Sequence, residues 1–270
     1  MRIQLLGTAA AEGWPAAYCD CHACTEARRR GGPNIRTRSG ALIGDDLKID
    51  HNGDTVTHAQ RQSLANVRSI LFTHEHADHL APQELHWLQK WYTSTRVQEP
   101  VAIYGNVHVL AAIRREHSHP MKAMLDLRLM RPLEPFATHA GDRVLPLPAE
   151  HSAPGALMLK VTRGGKHLLY GHDSGLFPEA TLDALNGEPL DVALLECTSG
   201  SQRSDNRHHL NVPGVLQTVE ALRRRGAVTD ATFVVVTHFS HNGGVLHEEL
   251  IRTFLPHGIA VAFDGMVIDV

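Results

Sequence analysis

The chain has 270 residues, a formal net charge of -3 and a hydrophobic fraction of 43%. These values are typical of a globular protein and argue against a nucleic-acid-binding protein, which usually carries a basic excess. Histidine departs from an ordinary composition, since 20 His stand beside 4 Cys and 3 Trp. Because histidine is the commonest metal ligand, this excess predicts a metal site. We expect His58, His86, His119 and His257 to be surface residues instead.

Strand-like and helix-like segments alternate along the chain, which predicts one layered α/β domain over residues 1–270. In chain order, the pattern predicts strand Arg2–Leu6, hairpin Ala41–Ile43 with Leu47–Ile49, strand Val67–Phe72, helix Pro82–Trp91, strand Val101–Tyr104, helix Val107–Arg115, strands Val144–Leu147, Leu157–Val161 and His167–Tyr170, helix Pro178–Leu185, strand Val192–Leu195, helix Val212–Arg224, strand Phe233–Val236, helix Leu246–Phe254, and strands Ile259–Phe263 and Met266–Ile268. Glu116–Glu134 fits neither pattern and is interpreted as an insertion or as a lid over the site.

The sequence shows no segment typical of export or of membrane insertion. Met1–Gly13 lacks a basic region followed by a long apolar stretch. No apolar run reaches the length of about 18 residues that a membrane helix needs. Three of the four cysteines, Cys19, Cys21 and Cys24, are too close together for a disulfide framework, which favours metal binding in a reducing compartment. We therefore expect a cytoplasmic protein with neither a membrane nor a nucleic-acid partner.

Four potential metal ligands, His74, His76, Asp78 and His79, follow the predicted strand Val67–Phe72. Residues two apart at an extended strand end point the same way, so His74 and His76 should share one side. Imidazole nitrogens with one carboxylate oxygen suit zinc, manganese or iron. A histidine-rich loop without metal explains the pattern less well, because His and Asp are poor core residues unless they are paired.

The H-x-H-x-D-H pattern resembles the metallo-β-lactamase superfamily, which adds single ligands after later strands. His151, Asp173 and His238 follow three later predicted strands in the required order. The resemblance implies an αββα sandwich with two divalent metals, one held by His74, His76 and His151, the other by Asp78, His79 and His238, with Asp173 between them. It also implies that Asp50 supports the metal loop, although Asp50 reads equally well as a turn residue. The next residue, His51, either approaches the site or lies on the surface.

The second constellation is the C-x-C-x-x-C motif of Cys19, Cys21 and Cys24. Three thiols can surround one soft cation but need a fourth ligand for a closed tetrahedral site. His22 lies inside the loop, where the geometry is awkward, and a distant histidine would serve better. The fourth cysteine, Cys197, is predicted to be a buried free thiol.

The cysteine motif resembles a subgroup of the superfamily that includes the cyclic phosphodiesterase of the carbon–phosphorus lyase pathway and a pyrroloquinoline-quinone biosynthesis protein. The resemblance implies that His241 completes a structural zinc site. The opening Gly7-Thr8 and the ending Phe263-Asp264-Gly265-Met266 extend the phosphodiesterase-like pattern over nearly the whole chain. The implied activity is hydrolysis of a small, cyclic phosphodiester by two metals, zinc or manganese, and the resemblance leaves a homodimer open.

The resemblance also places a leaving-group acid just before the helix Val212–Arg224, where His208 and His209 are adjacent. His209, next to Leu210, fits the commoner pattern, and His208 is the alternate; both also read as surface loop residues. Asp78 on the second metal, together with a histidine here, favours phosphodiesters over β-lactams. Hydrolysis of another ester, thioester or lactone stays open, as does a non-catalytic accessory role. A ribonuclease Z-type activity is less favoured, because no glycine-rich basic arm is found.

Overall fold

The computed structural model of the protein describes residues 1–93, 99–119 and 124–270. Its strands are β1 (Arg2–Gly7), β2 (Gly40–Ile43), β3 (Leu47–Ile49), β4 (Ser69–Leu71), β5 (Val101–Gly105), β6 (Leu125–Leu129), β7 (Phe136–Ala137), β8 (Arg143–Pro148), β9 (Leu157–Arg163), β10 (Lys166–Gly171), β11 (Val192–Glu196), β12 (Phe233–Thr237), β13 (Ala260–Val261) and β14 (Val267–Asp269). Its α-helices are α1 (His22–Arg30), α2 (Thr55–Arg61), α3 (Val107–Glu116), α4 (Glu179–Ala184), α5 (Val212–Arg224) and α6 (His247–Phe254).

The strands form two seven-stranded sheets. Their orders are β14-β1-β2-β3-β4-β5-β6 and β13-β12-β11-β10-β9-β8-β7. Strands β3 to β6 run parallel in the first sheet, as do β10 to β13 in the second. The carboxyl ends of parallel neighbours meet at one edge of a sheet, which is where open α/β sheets usually bind ligands.

Three apolar layers hold the two sheets and the helices together. The inner layer lies between the sheets, where Leu5 and Ile49 of the first share a cluster with Tyr170 and Leu194 of the second. A second layer fills the outer face of the first sheet beneath α3, and a third fills the outer face of the second sheet beneath α1, α5 and α6. The predicted αββα sandwich is therefore confirmed.

Several predicted elements need correction. Pro82–Trp91 is not an α-helix but two 3-10 helices, Pro82–Leu88 and Lys90–Tyr92. Helices α1 and α2 had no counterpart in the prediction, because both are short and α1 begins within the cysteine motif. The segment Glu116–Glu134 is not simply a lid: its residues 125–129 form β6, which pairs with β5 at the edge of the first sheet. Residues 120–123 of that segment lie outside the described part.

Histidine placement also differs from expectation at one position. His119 and His257 are exposed as predicted and His86 is half-buried, but His58 is only 1% exposed. Its Nε2 lies 3.0 Å from the Thr37 hydroxyl, so His58 packs α2 against the first sheet. Among the described residues, no helix has both the length and the apolar character that crossing a membrane would require.

Candidate metal centre

The carboxyl ends of strands from both sheets bring the predicted ligands together. Asp50 follows β3, His74 follows β4, Asp173 follows β10 and His238 follows β12. Asp50, Asp173 and His238 have φ angles of 58°, 49° and 57°. Non-glycine residues seldom adopt this left-handed conformation, which costs about 1–3 kcal/mol and concentrates at functional sites. The chain therefore turns sharply at three of these strand ends, and each turn aims a polar side chain at the same space.

The side chains form two adjoining clusters. The first contains His74, His76 and His151, and the second contains Asp78, His79, Asp173 and His238; within each, the potential ligand atoms lie within 4.8 Å of one another. Asp173 links the clusters, since its Oδ2 is 2.6 Å from His79 Nε2 and 3.5 Å from His74 Nε2. Its other oxygen, Oδ1, is 3.2 Å from His238 Nε2. The seven predicted ligands are thus all present at one place, with Asp173 in the middle.

Hydrogen bonds behind the clusters fix the orientation of the buried rings. His79 Nδ1 donates to Asp50 Oδ2 at 2.7 Å, and Asp50 also accepts from the backbone N–H of Thr73. Thr198 Oγ1 donates its one proton to the backbone oxygen of His238. It also lies 2.8 Å from His238 Nδ1, so that nitrogen is the donor in the contact between the two side chains. Each ring therefore turns its Nε2 atom towards the centre, the orientation that metal-binding histidines require.

The charges of the second cluster fit a bound cation. Burial raises the pKa of Asp173, but the charges of His238 and His79 outweigh it and hold that pKa well below its ordinary value. Burial lowers the pKa of His79, and the surrounding Asp78, Asp173 and Asp50 overcome it and raise that pKa well above normal. The clustered carboxylates thus favour positive charge among them. Nitrogen and carboxylate donors in this number suit zinc or manganese.

Buried atoms that face the centre support the same fit. His74 Nε2, His238 Nε2 and Asp173 Oδ1 are buried and make no hydrogen bond of good geometry within the described residues, although each faces an oppositely polar neighbour. An unsatisfied buried polar atom is costly, so such atoms call for a partner. Divalent metals at this place would be coordinated by all of them.

His209 lies against the second cluster and His208 does not. His209 Nδ1 is 2.8 Å from Glu196 Oε1 and 3.5 Å from Asp173 Oδ1. Burial lowers the pKa of His209, but the hydrogen bond and the charge of Glu196, with the charges of Asp173 and Asp78, raise that pKa to about 9. The His208 side chain is exposed; its backbone oxygen is 3.3 Å from His151 Nδ1, and its ring lies edge to face with the His151 ring at 6.4 Å between centroids.

Glu196 is the functional residue that the sequence reasoning missed. It is fully buried at the end of β11, where it accepts hydrogen bonds from His209 Nδ1 and from the backbone N–H of Thr198. A carboxylate at the end of an apolar strand was the available signal, because Asp50 occupies the same kind of position after β3.

The cysteine cluster lies at the other end of the loop that carries His238. The sulfur atoms of Cys19, Cys21 and Cys24 and a ring nitrogen of His241 lie within 4.8 Å of one another. His241 Nδ1 is 3.4 Å from the Cys21 sulfur and 3.7 Å from the Cys19 sulfur. The hydrogen bond with His241 lowers the pKa of the Cys21 thiol to about 6, which favours the thiolate that zinc requires, whereas burial raises the pKa of the Cys24 thiol to about 12.

Two further predicted residues lie outside both clusters. Cys197 is a fully buried free thiol, as predicted. His51 is neither a surface residue nor part of the metal cluster: it is 5% exposed, and it borders a separate cavity on the outer face of the first sheet.

Comparison with known proteins gives one match to a family. The sequence model described as the β-lactamase superfamily domain matches residues 50–239. A crystal structure described as a new diphosphatase from the PhnP family superposes with a TM-score of 0.78 at 22% identity, covering 100% of this chain and 97% of that one. Zinc-bound PqqB from Methylobacterium extorquens superposes with a TM-score of 0.82 at 19% identity, covering 100% of both chains. At these identities the structural likeness establishes the fold.

One curated relative is a much longer protein. An octanoyltransferase from Porphyromonas gingivalis (strain ATCC BAA-308 / W83) is 26% identical over an alignment of 278 positions, which covers 98% of this chain and 51% of that protein. The chain therefore spans about half the length of this relative.

Proposed function

The chain belongs to the metallo-β-lactamase superfamily, and from this premise we propose that it is a dinuclear metal-dependent phosphodiesterase acting on a small phosphodiester, with cyclic phosphodiesters as the first substrates to test. The observation that carries the proposal is that Asp173 lies in contact with both ligand clusters, beside His209, which is hydrogen-bonded to the buried Glu196. Asp78 in the second cluster and His209 at its edge favour phosphodiester chemistry over β-lactam hydrolysis.

In this proposal His74, His76 and His151 hold one divalent metal, zinc or manganese. Asp78, His79 and His238 hold the second, and Asp173 lies between the two. Two such cations would supply an activated water as the nucleophile and positive charge opposite the phosphoryl oxygens. The protein itself contributes the fixed geometry, through the hydrogen bonds that Asp50 and Thr198 make to the rings.

Burial indicates the side from which a substrate arrives. His74, His79 and His238 are almost completely buried, whereas His76, His151 and His209 are partly exposed. The rings of His151 and His209 lie 5.0 Å apart between centroids. The phosphodiester would therefore enter along this partly exposed rim, with its leaving group directed towards His209.

His209 is proposed to protonate the leaving group. Its Nδ1 is engaged by Glu196, which leaves Nε2 to carry the transferred proton. The oxygen of water adds to phosphorus as a water proton passes to solvent, the bond from phosphorus to the leaving oxygen breaks, and that oxygen takes the proton from His209, which is reprotonated from solvent. The products are a monoester and an alcohol, or one molecule carrying both groups when the diester is cyclic. His208 is less suited to this role because its side chain faces solvent.

The cysteine cluster is proposed as a separate structural zinc site. Three sulfur atoms and one ring nitrogen within 4.8 Å match the donors and compactness of a closed tetrahedral site. The site would join the N-terminal loop of Cys19 to the loop after β12, which carries both His238 and His241.

The first test is hydrolysis of bis(p-nitrophenyl) phosphate by purified protein loaded with Mn²⁺ or Zn²⁺, with chelator-treated protein as the control. We expect metal-dependent turnover of this diester that is much faster than turnover of the monoester p-nitrophenyl phosphate. Cyclic ribose phosphates follow as candidate natural substrates. Protein shown to hold metal but inactive on every diester would overturn the proposal.

An acyl substrate is the alternative to test in parallel. The longer relative is named an octanoyltransferase, and two-metal centres of this fold also suit esters and thioesters. Metal-dependent hydrolysis of p-nitrophenyl octanoate that exceeds diester hydrolysis would assign the site to carboxyl derivatives instead.

A further inference from the structure

The cavity that His51 borders lies on the outer face of the first sheet, apart from the metal centre. Its volume is about 490 Å³, within the range of about 300–1,000 Å³ that is usual for small-molecule sites. It lies between β3, β4, α2 and the 3-10 helices that follow the metal loop, and none of its lining residues belongs to the histidine and aspartate clusters. Val67, Ile70 and Leu88 provide part of its apolar wall.

One wall of this cavity carries a buried lysine. Lys48 pairs with Leu42 and Ile70 across its neighbouring strands, and both of these belong to the apolar layer on the outer face of the sheet. Lys48 is only 1% exposed, and it forms no ion pair within the part of the chain that the structure describes. Lysine is rarely buried unless it is paired, because removing an ammonium from water is costly.

The Lys48 ammonium uses only part of its capacity to donate hydrogen bonds within the described residues. Its ammonium donates to the backbone oxygen of Asp50, whereas an ammonium has three donors. Burial lowers the pKa of Lys48 to about 7, although the carboxylate of Asp50 opposes this. A negatively charged partner in the cavity would hold the charged form and offset the desolvation that burial imposes.

A second polar group lines the same cavity. The Thr55 hydroxyl is buried and has no hydrogen-bond partner within the described residues. Such a group is an available donor, and leaving it unpaired is costly. Lys48 and Thr55 thus provide a cation and a hydroxyl donor in a cavity whose other walls are largely apolar.

Aromatic side chains lie at the opening of the cavity. Trp87 and Tyr92 both line it, are 46% and 53% exposed, and contact each other edge to face with ring centroids 5.0 Å apart. Exposed aromatic rings at the opening of an apolar cavity that contains a few polar groups are typical of sites that receive an apolar molecule with a polar end.

We propose that this cavity binds a small monoanionic carboxylate with an apolar body, whose carboxylate is held by the Lys48 ammonium and the Thr55 hydroxyl and whose body lies against the apolar wall and the Trp87 and Tyr92 rings. The site is independent of the proposed hydrolysis. It faces away from the metal clusters and uses none of their residues.

The test is calorimetric titration of the metal-loaded protein at pH 7 with 4-phenylbutyrate, and with 4-phenylbutan-1-ol and 4-phenylbutylamine as compounds of the same shape without the negative charge. We expect saturable binding of the carboxylate, at least about tenfold tighter than that of either other compound, because a hydrogen bond to a charged group is worth this much. Equal binding of the alcohol, or no binding of the carboxylate at millimolar concentration, would overturn the proposal.

Variants locate the binding. We expect Lys48→Met and Ala59→Phe each to weaken 4-phenylbutyrate binding by about tenfold or more, since Ala59 is an exposed residue of α2 that lines the cavity. Gln60→Phe, which places the same ring one residue away from the lining, should bind like the unaltered protein. Ala59→Phe leaves Lys48 in place, so it shows whether 4-phenylbutyrate binds in this cavity even if Lys48→Met fails to fold.

One further variant separates this cavity from the metal centre, because a carboxylate could also bind there. Asp173→Asn alters the bridge between the two ligand clusters and should leave 4-phenylbutyrate affinity within about threefold. If Asp173→Asn abolishes binding while Ala59→Phe does not, the carboxylate binds at the metal centre and the proposed second site is wrong.

Discussion

The two ligand clusters of this protein differ in what holds them in place. At the histidine and aspartate centre, protein groups fix the rings from behind, as Asp50 does for His79 and Thr198 for His238. At the cysteine cluster, Cys21 is exposed, and its sulfur contacts His241 of the loop after β12. The first centre is buttressed by buried hydrogen-bond partners, whereas a zinc ion in the second would join the N-terminal loop to the loop after β12.

Because of this difference, we expect metal loss to have different consequences at the two clusters. Loss at the buttressed centre should reduce turnover and leave the fold nearly intact. Loss at the cysteine cluster should reduce stability, because metal binding that orders a site contributes directly to folding. The loop after β12 carries His238 of one cluster and His241 of the other, so the separation of the two effects is a stringent test.

The largest effect on turnover is expected for Asp173→Asn. This change removes a charge from the link between the clusters and should lower kcat/KM for a phosphodiester by about 10³-fold or more, since metal-centred charge stabilisation is worth several kcal/mol. Asparagine tolerates the left-handed conformation at this position, so the thermal unfolding midpoint should shift by only a few degrees. Steady-state kinetics, metal analysis and thermal unfolding measure the three quantities.

Turnover of Asp173→Asn within tenfold of the unaltered protein would contradict a catalytic centre at this place. A large fall in the unfolding midpoint would contradict the idea that buried hydrogen-bond partners hold this centre in place.

The next effect is expected for His209→Ala, with His208→Ala as the matched control. Loss of the proposed acid should lower kcat by about 10²–10⁴-fold and keep the metals bound, whereas His208→Ala should change kcat by less than about threefold. The loss should be greatest for a substrate with an alkyl leaving group and smaller for bis(p-nitrophenyl) phosphate, because p-nitrophenolate departs without a proton. Equal losses for both substrates, or a larger effect at His208, would exclude the proposed role.

A smaller effect is expected for Glu196→Gln. We propose that Glu196, which accepts a hydrogen bond from His209, positions that residue, and removal of such a partner typically costs about 10–100-fold in activity. Because the Glu196 carboxylate raises the pKa of His209, and the acid must be protonated, the alkaline fall in activity should move to lower pH in this variant. Adding Glu196→Gln to His209→Ala should cause little further loss, since the two act as one unit.

Glu188→Gln is the matched control for this change, since Glu188 is an exposed carboxylate paired with Lys160 away from the centre. A fully additive double variant, or an unchanged pH profile in Glu196→Gln, would show that Glu196 does not act through His209.

The same contrast explains what the sequence could and could not predict. The candidate ligands could be named from the sequence because His74, His76, Asp78 and His79 are close together in the chain, and the resemblance directs attention to single residues after later strands. Glu196 and Thr198 were missed, since their partners His209 and His238 are distant in sequence; the position of Glu196 at the end of an apolar strand was its one local signal, and Thr198 had none.

The fold shows the same limit. The alternating segments predict a layered α/β domain, and the resemblance implies its αββα order. The strand β6 was missed although its sequence LDLRL alternates apolar and polar residues, because the surrounding segment shows no clear pattern. His58 was expected at the surface, but it is buried, and so is Lys48 within the predicted strand Leu47–Ile49. Tertiary packing, which a single sequence does not display, decides such positions.

The smallest effect on turnover, with the largest on stability, is expected for Cys21→Ser. The variant should lose about one zinc per chain and unfold at a midpoint at least about 6 °C lower, as a loss of about 3 kcal/mol would give in a chain of this size. Turnover per folded molecule should stay within about threefold, because Cys21 lies outside the catalytic centre. Asp20→Ser, which makes the same substitution at the exposed neighbour, controls for loop disruption and should keep both zinc and midpoint. A Cys21→Ser protein that keeps its full zinc content and unfolding midpoint would refute the structural zinc site. A Cys21→Ser protein that keeps its midpoint but loses turnover would show that the shared loop transmits the loss to His238. The two clusters would then form one functional unit.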